Sequence, residues 1–112
     1  MNITTESYGQ AVILILKGEL SADALEAFNH AVERQLVDAA VRDLVLNMAG
    51  VPFVDSLGLE CLLDLQQKMN DRMGQVRLTN LEPNVAKILE ITRLESSFER
   101  FADVTEAVKN LQ

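Results

Sequence analysis

The sequence predicts a single α/β domain on a mixed, mostly parallel β-sheet with four α-helices, in the order β-β-α-β-α-β-α-β-α. Three observations carry that prediction. Short runs of aliphatic residues alternate with segments of helical hydrophobic spacing, the pattern of a sheet with covering helices. Two strand-like runs open the chain with only a tight turn between them, which supplies an antiparallel edge. The chain has 112 residues, 48% of them hydrophobic, enough for one core and too few for two ordinary domains.

Ile3 to Ser7 reads as a short first strand, with Tyr8-Gly9-Gln10 as the hairpin turn. Ala11 to Lys17 is continuously apolar up to its final lysine, the mark of an interior strand buried on both faces, and Gly18 ends it. Leu25, Phe28, Val32 and Leu36 then fall on one helical face while Glu26, Glu33 and Arg34 face water; Ser21 or Asp23 is placed to cap the start. Asp43 to Met48 is a third strand, followed by an irregular extended link, Ala49 to Phe53, in which Pro52 removes a donor and restrains Val51. A second helix runs from about Ser56 to Arg72. Leu59, Leu62, Leu63, Gln66 and Met69 form its inward stripe, Lys68, Asn70 and Asp71 its wet side, and Gly74 is placed to stop it. Gln75 to Thr79 is the fourth strand. Glu82-Pro83-Asn84 opens a third helix, with Val85, Ile88 and Leu89 inward, that ends near Thr92. Ser97 to Phe101 is a short last strand, and Asp103 caps a final helix carrying Val104, Ala107, Val108 and Leu111. The links are all short and leave no room for a lid.

Ten Lys plus Arg against seventeen Asp plus Glu give a formal charge of -7. Such a balance opposes direct nucleic-acid binding, which rests on cations neutralising phosphates, and opposes anionic membrane surfaces for the same reason. Lys68, Arg72 and Arg77 do not form a basic run. Cys61 is the one cysteine and His30 the one histidine, so neither an internal disulfide nor a zinc site of the usual thiolate and imidazole kind is expected. Cys61 reads as a small buried hydrophobe and His30 as an ordinary helix residue. No apolar run is long enough for membrane insertion, and the first residues have no basic stretch leading into an apolar one. A reducing, cytoplasmic setting is the expectation, with no metal and no cofactor. Phe28, Phe53, Phe98 and Phe101 are core or rim anchors. Glu82, Glu90, Glu95, Glu99, Asp103 and Glu106 form a solvated acidic scatter.

Periodicity leaves Phe53-Val54-Asp55-Ser56-Leu57-Gly58-Leu59 unexplained. It lies after a strand and opens a helix, where free backbone donors and the positive dipole end gather. Asp55 and Ser56 are good cap residues, and a plain cap accounts for both. The functional alternative is a partner-binding or phosphoacceptor site. Gly58 in the first turn costs helix propensity, which points to close packing or to close approach by a partner. An enzyme using Ser56 or Asp55 has little support. Ser56 lacks an identifiable base, and Asp55 lacks an acidic companion beyond Glu19.

Phe53-Val54-Asp55-Ser56-Leu57-Gly58-Leu59 resembles the signature loop of the STAS family, the anti-anti-sigma factors or anti-sigma factor antagonists. Leu16-Lys17-Gly18-Glu19-Leu20 is similar to the step before that family's first helix. Leu44 to Asn47 is similar to its central strand, and Leu89-Glu90-Ile91-Thr92-Arg93-Leu94 through Phe98 to its leucine, threonine, glycine, leucine passage. Four motifs in the correct order cover nearly the whole chain, and the resemblance implies one STAS domain over residues 1–112. It further implies a binding module and no enzyme. Such a module docks on an anti-sigma factor that is also a GHKL-type serine protein kinase. The kinase phosphorylates the hydroxyl residue immediately before the signature glycine and so causes release, and a PP2C-type phosphatase reverses the mark. By this resemblance the contact surface comprises Gly18, Glu19, Phe53, Asp55, Ser56, Leu57, Gly58 and Glu60.

The sequence departs from the family at the usual acceptor position, where Leu57 has no hydroxyl. Two outcomes follow: constitutive binding with Leu57 as an apolar contact, or phosphorylation shifted to Ser56. A one-residue step at a helix start rotates the side chain by about 100°, which favours the first. An accessory STAS subunit of a stress-signalling assembly or of an ABC-type lipid transport complex is the alternative role. A homodimer through the edge strand is compatible with the same element order.

Overall fold

The computed structural model describes residues 1–109 and 111. Its elements are β1 (Asn2–Tyr8), β2 (Ala11–Lys17), α1 (Leu25–Leu36), β3 (Asp43–Gly50), α2 (Ser56–Asp71), β4 (Val76–Thr79), α3 (Pro83–Ile91), β5 (Glu99–Phe101) and α4 (Val104–Lys109), with short 3-10 turns at Ala22–Ala24 and Glu95–Ser97. The five strands lie side by side in sequence order. β1 pairs antiparallel with β2, and the other neighbours are parallel. Each parallel crossover steps the same way across the sheet. Right-handed connections therefore place α1, α2 and α3 on one face.

That face holds the main core, with Leu14, Leu16, Phe28, Leu44, Leu46, Met48, Leu62, Met69, Leu78 and Leu89 excluded from solvent. The opposite face is smaller: Ile13 and Val45 pack against Ala107 and Val108 of α4, with Phe101 and Leu111 at its margin. β2 is covered on both sides, as its unbroken aliphatic run requires. Arg77 is buried beneath α4, where Nη1 donates to the Ala107 carbonyl at 2.7 Å and the guanidinium lies 5.0 Å from the centre of the Phe101 ring. Glu99 is 3.6 Å from Arg77. Asp103 caps α4, its Oδ1 accepting from the Glu106 N–H at 2.8 Å.

The structure corrects several local expectations. The first two residues of the Ala49–Phe53 link extend β3 to Gly50, and the irregular remainder goes on pairing with the chain before α1. Gly18 N–H donates to Gly50, Leu20 N–H to Phe53 and Asp55 N–H to Leu20. Ser97 and Phe98 precede β5 instead of belonging to it; Ser97 sits in the 3-10 turn, where its carbonyl accepts from Gln66 Nε2. Leu65 is buried in the α2 stripe, while Leu63 and Gln66 are only half-buried. Glu95 is likewise half-buried, not fully solvated.

The end of α2 differs in a more instructive way. Met73, not Gly74, takes the left-handed conformation, with φ 62°. Gly74 N–H closes the helix onto the Met69 carbonyl at 2.8 Å and Met73 N–H onto Asn70 at 2.9 Å, the Schellman arrangement. Glycine is needed at 74 for a different reason: a Cβ there would lie 1.8 Å from the Arg42 carbonyl oxygen. Arg93 ends α3 in the same way, at φ 61°. Met73 is 82% exposed, so its side chain gives up little packing if removed. We expect Met73→Gly to stabilise the protein by about 0.5–1 kcal/mol, the roughly 1–2 kcal/mol cost of a left-handed side-chain residue less the entropy that glycine adds to the unfolded chain. A denaturant titration checks it, and a loss of stability would contradict the strain argument.

α1 is tied to α2 at both ends. At its exit, Arg72 Nη1 donates to Leu36 at 2.8 Å, and Nη2 to Asp38 and Val41 at 3.1 and 2.9 Å. The first of these bonds satisfies a carbonyl that the end of α1 leaves without a helical partner, and the other two hold the loop that follows. At its entry the tie is Asp55, described next.

Candidate functional site

The site begins with a backbone problem. The chain leaves β3, pairs briefly with the segment before α1 through a bridge between Leu20 and Val54, and must then turn into α2. Asp55 makes the turn. Its backbone is extended, and its Oδ1 accepts from Gly58 N–H at 2.8 Å, satisfying one free donor of the first turn. Its other oxygen, Oδ2, accepts from Ala22 N–H at 3.1 Å, at the start of the turn that leads into α1. One carboxylate thus caps two helical starts. This corrects the expectation for Ser21 and Asp23. Ser21 flanks that turn but makes no side-chain cap bond.

Gly58 is buried against the same strap. A Cβ on it would lie 2.2 Å from the Leu20 carbonyl oxygen and 2.9 Å from a Val54 methyl. Of the two reasons for a glycine here, close packing is met by the protein's own backbone. Leu20 and Val54 are themselves buried, which anchors the turn from below.

Around this fixed base the remaining residues face outward. Phe53 and Leu57 are 43% and 44% exposed, unusual for large apolar side chains beside a well-formed core. Ser56 and Glu60 are exposed, as is Glu19, while Gly18 is half-buried at φ 117°. Leu57 also borders a cleft of about 250 Å³ between α1 and α2, whose walls carry Glu33, Glu60 and Asp64 with Lys68 at one end. The cleft is therefore mainly acidic around an apolar edge.

Cys61 lies in the wall of this cleft and is buried; its Sγ donates to Asn29 Oδ1 at 3.3 Å. Burial raises its thiol pKa first, and the Asp64 carboxylate adds to that, with Lys68 opposing. A raised value keeps the thiol neutral and unreactive at ordinary pH. The associated stability is fully present below the ordinary thiol value and is lost as the pH rises from there through the raised folded value. His30 lies elsewhere, exposed in a groove between α1 and β1, so the structure does not bring it to Ser56. Among the described residues no cluster of His, Cys, Asp and Glu is placed to hold a metal ion, and no helix is long and apolar enough to cross a membrane. Arg72 and Arg77 are both engaged with backbone carbonyls of the chain itself.

Sequence reasoning thus located the turn and its cap. It missed Leu20, whose carbonyl is the surface on which Asp55 and Gly58 close, because a backbone acceptor leaves no mark in side-chain pattern.

Comparison with known proteins matches this arrangement. The family model described as "STAS domain" matches residues 2–107. A STAS-domain containing protein of Pseudomonas aeruginosa (strain UCBPP-PA14) is 31% identical over 90 residues, 80% of this chain and 87% of that protein. The anti-sigma F factor antagonist of Lysinibacillus sphaericus is 25% identical over 85 residues, 76% of this chain and 73% of that one. Among solved structures, the anti-sigma factor antagonist SpoIIAA in its unphosphorylated form superposes with a TM-score of 0.82 at 23% identity, over 98% of this chain and 96% of that one. With the matched model spanning nearly every element and the sheet order agreeing, the chain belongs to the STAS domain family.

Proposed function

We propose that this protein is a regulatory binding module of the anti-sigma factor antagonist kind, docking on an anti-sigma factor that is a GHKL-type serine protein kinase, and that it lacks the usual phosphorylation switch. The observation that carries this reading is Leu57, an aliphatic side chain left 44% exposed at the tip of a tightly braced turn. A rigid apolar anchor beside a polar rim is what a protein interface uses as its energetic centre. Phe53, Ser56, Leu57 and Glu60 make the contact with Glu19; Asp55, Gly58 and Gly18 position the backbone. The acidic cleft beside Leu57 favours a partner with basic contacts.

The geometry also disfavours Ser56 as a substitute acceptor. A phosphate there would stand next to the Asp55 carboxylate, which already holds the Gly58 and Ala22 donors. Like charges would then compete for the same helix start. A PP2C-type phosphatase would have nothing to remove.

The test is to recover the kinase by affinity capture from the native host, then incubate it with the purified protein and ATP. The complex is expected to persist with no phosphate on the protein by mass spectrometry. Leu57→Ser is expected to gain phosphate and dissociate. Leu57→Glu is expected to weaken binding by about 30-fold, the loss of one hot-spot contact. A phosphate that disappears in Ser56→Ala overturns the unswitched reading. Unchanged affinity in Leu57→Glu removes Leu57 from the interface. Recovery of a transporter ATPase or a large assembly of related STAS proteins in place of a kinase would assign the accessory role.

A further inference from the structure

We propose that a second copy of this chain pairs with it along β1, joining the two sheets about a two-fold axis through Thr5. β1 is a free edge seven residues long, paired with β2 in unbroken register. The hairpin turn is two residues, which makes Tyr8 and Ala11 a hydrogen-bonded pair. Alternation then points the N–H and C=O groups of Asn2, Thr4, Glu6 and Tyr8 toward β2, and those of Ile3, Thr5 and Ser7 outward.

Exposed edges are commonly blunted by lysine, proline or a bulge. β1 has none of these. Set antiparallel to itself about Thr5, the strand faces Ile3 with Ser7 and Thr5 with Thr5 of the partner subunit. Every outward donor then meets an acceptor. Its one charge, Glu6, faces Thr4 of the partner subunit, so no like charges stand directly opposite. The other edge of the sheet, β5, is three residues long and offers no comparable length.

A second observation lies beside the same edge. A groove lies between β1 and α1, lined by Met1 and Ile3 on the strand side and, on the other, by Asp23 of the turn before α1 and by Glu26, Ala27, His30, Ala31 and Arg34 of α1. The latter recur at helical spacing, acidic at one end, with Arg34 at the other and small alanines between. A two-fold axis normal to the sheet sets the two α1 helices antiparallel on one face. Asp23 and Glu26 then approach the partner's Arg34, and the alanines permit close approach of the helices. Charge complementarity of this kind favours the antiparallel pair of copies over a parallel one, which would oppose acid to acid.

Sedimentation equilibrium of the full chain from about 10 μM to about 1 mM is the first measurement. The expected result is a mass rising from 12.4 kDa toward twice that value. Amide exchange at Ile3, Thr5 and Ser7 should slow as concentration rises. Arg34→Glu is expected to weaken the dimer about tenfold, and Glu26→Arg combined with Arg34→Glu to restore it. Thr5→Pro removes one outward donor without touching the β2 ladder and is expected to give a folded monomer. If that variant fails to fold, the charge-reversal pair decides alone. Leu57→Glu lies outside the edge and is expected to leave dimerisation unchanged, which separates this surface from the docking turn. A monomer at every concentration overturns the proposal. So does a dimer indifferent to the charge reversal, or one that leaves the three amides unprotected.

Discussion

Gly58→Ala is expected to destabilise the protein by about 3 kcal/mol, at the upper end of what an overpacked methyl costs. At an ordinary exposed helix position the same change would stabilise by up to about 1 kcal/mol, so even the sign is diagnostic. The added Cβ would lie 2.2 Å from the Leu20 carbonyl oxygen, far inside contact distance, and that oxygen is held by the Asp55 N–H at 3.2 Å. Neither the strap nor the helix start yields without breaking a backbone bond. Calorimetry would read the change as a fall in Tm of roughly 10 °C for a domain of this size. Partner affinity should fall as well, because Leu57 is displaced along with the turn. A variant as stable as the parent would show that the strap moves freely, and the braced-turn account would fail.

Asp55→Ala is expected to cost about 2 kcal/mol, the sum of two lost caps at about 1 kcal/mol each. The sum applies because the two oxygens serve different helical starts, Gly58 in α2 and Ala22 before α1. Asp55→Asn keeps a single acceptor oxygen and should fall between alanine and the parent. Urea denaturation of the three proteins gives the ordering directly. A loss of only one cap's worth in Asp55→Ala would mean that the two bonds do not add and that the double-cap account fails.

Much of this architecture is legible in the amino-acid sequence because it rests on side-chain period. The aliphatic run of β2, the stripe of α1, the Asp103 cap and the opening of α2 at Ser56 all follow from residue type and spacing. What could not be read depends on backbone atoms distant in sequence. Gly74 looks like a helix stop, yet its glycine answers to the Arg42 carbonyl, and the left-handed residue is Met73. Gly58 likewise answers to Leu20. Ser21 and Asp23 have the chemistry of caps, but a carboxylate from more than thirty residues downstream takes the position. At the site, the sequence showed where the turn into α2 begins; it did not show that Asp55 and Gly58 hold the turn while Phe53 and Leu57 stand clear of it.

The double fastening of α1 has a mechanical consequence. Asp55 grips the turn that leads into this helix and Arg72 grips its exit, and both residues flank α2. Ordinary helices fray from their ends, but here neither end can loosen unless α2 loosens too. The pair should therefore behave as one lever arm, melting in a single sub-global step and passing any tilt imposed on the turn before α2 along both helices.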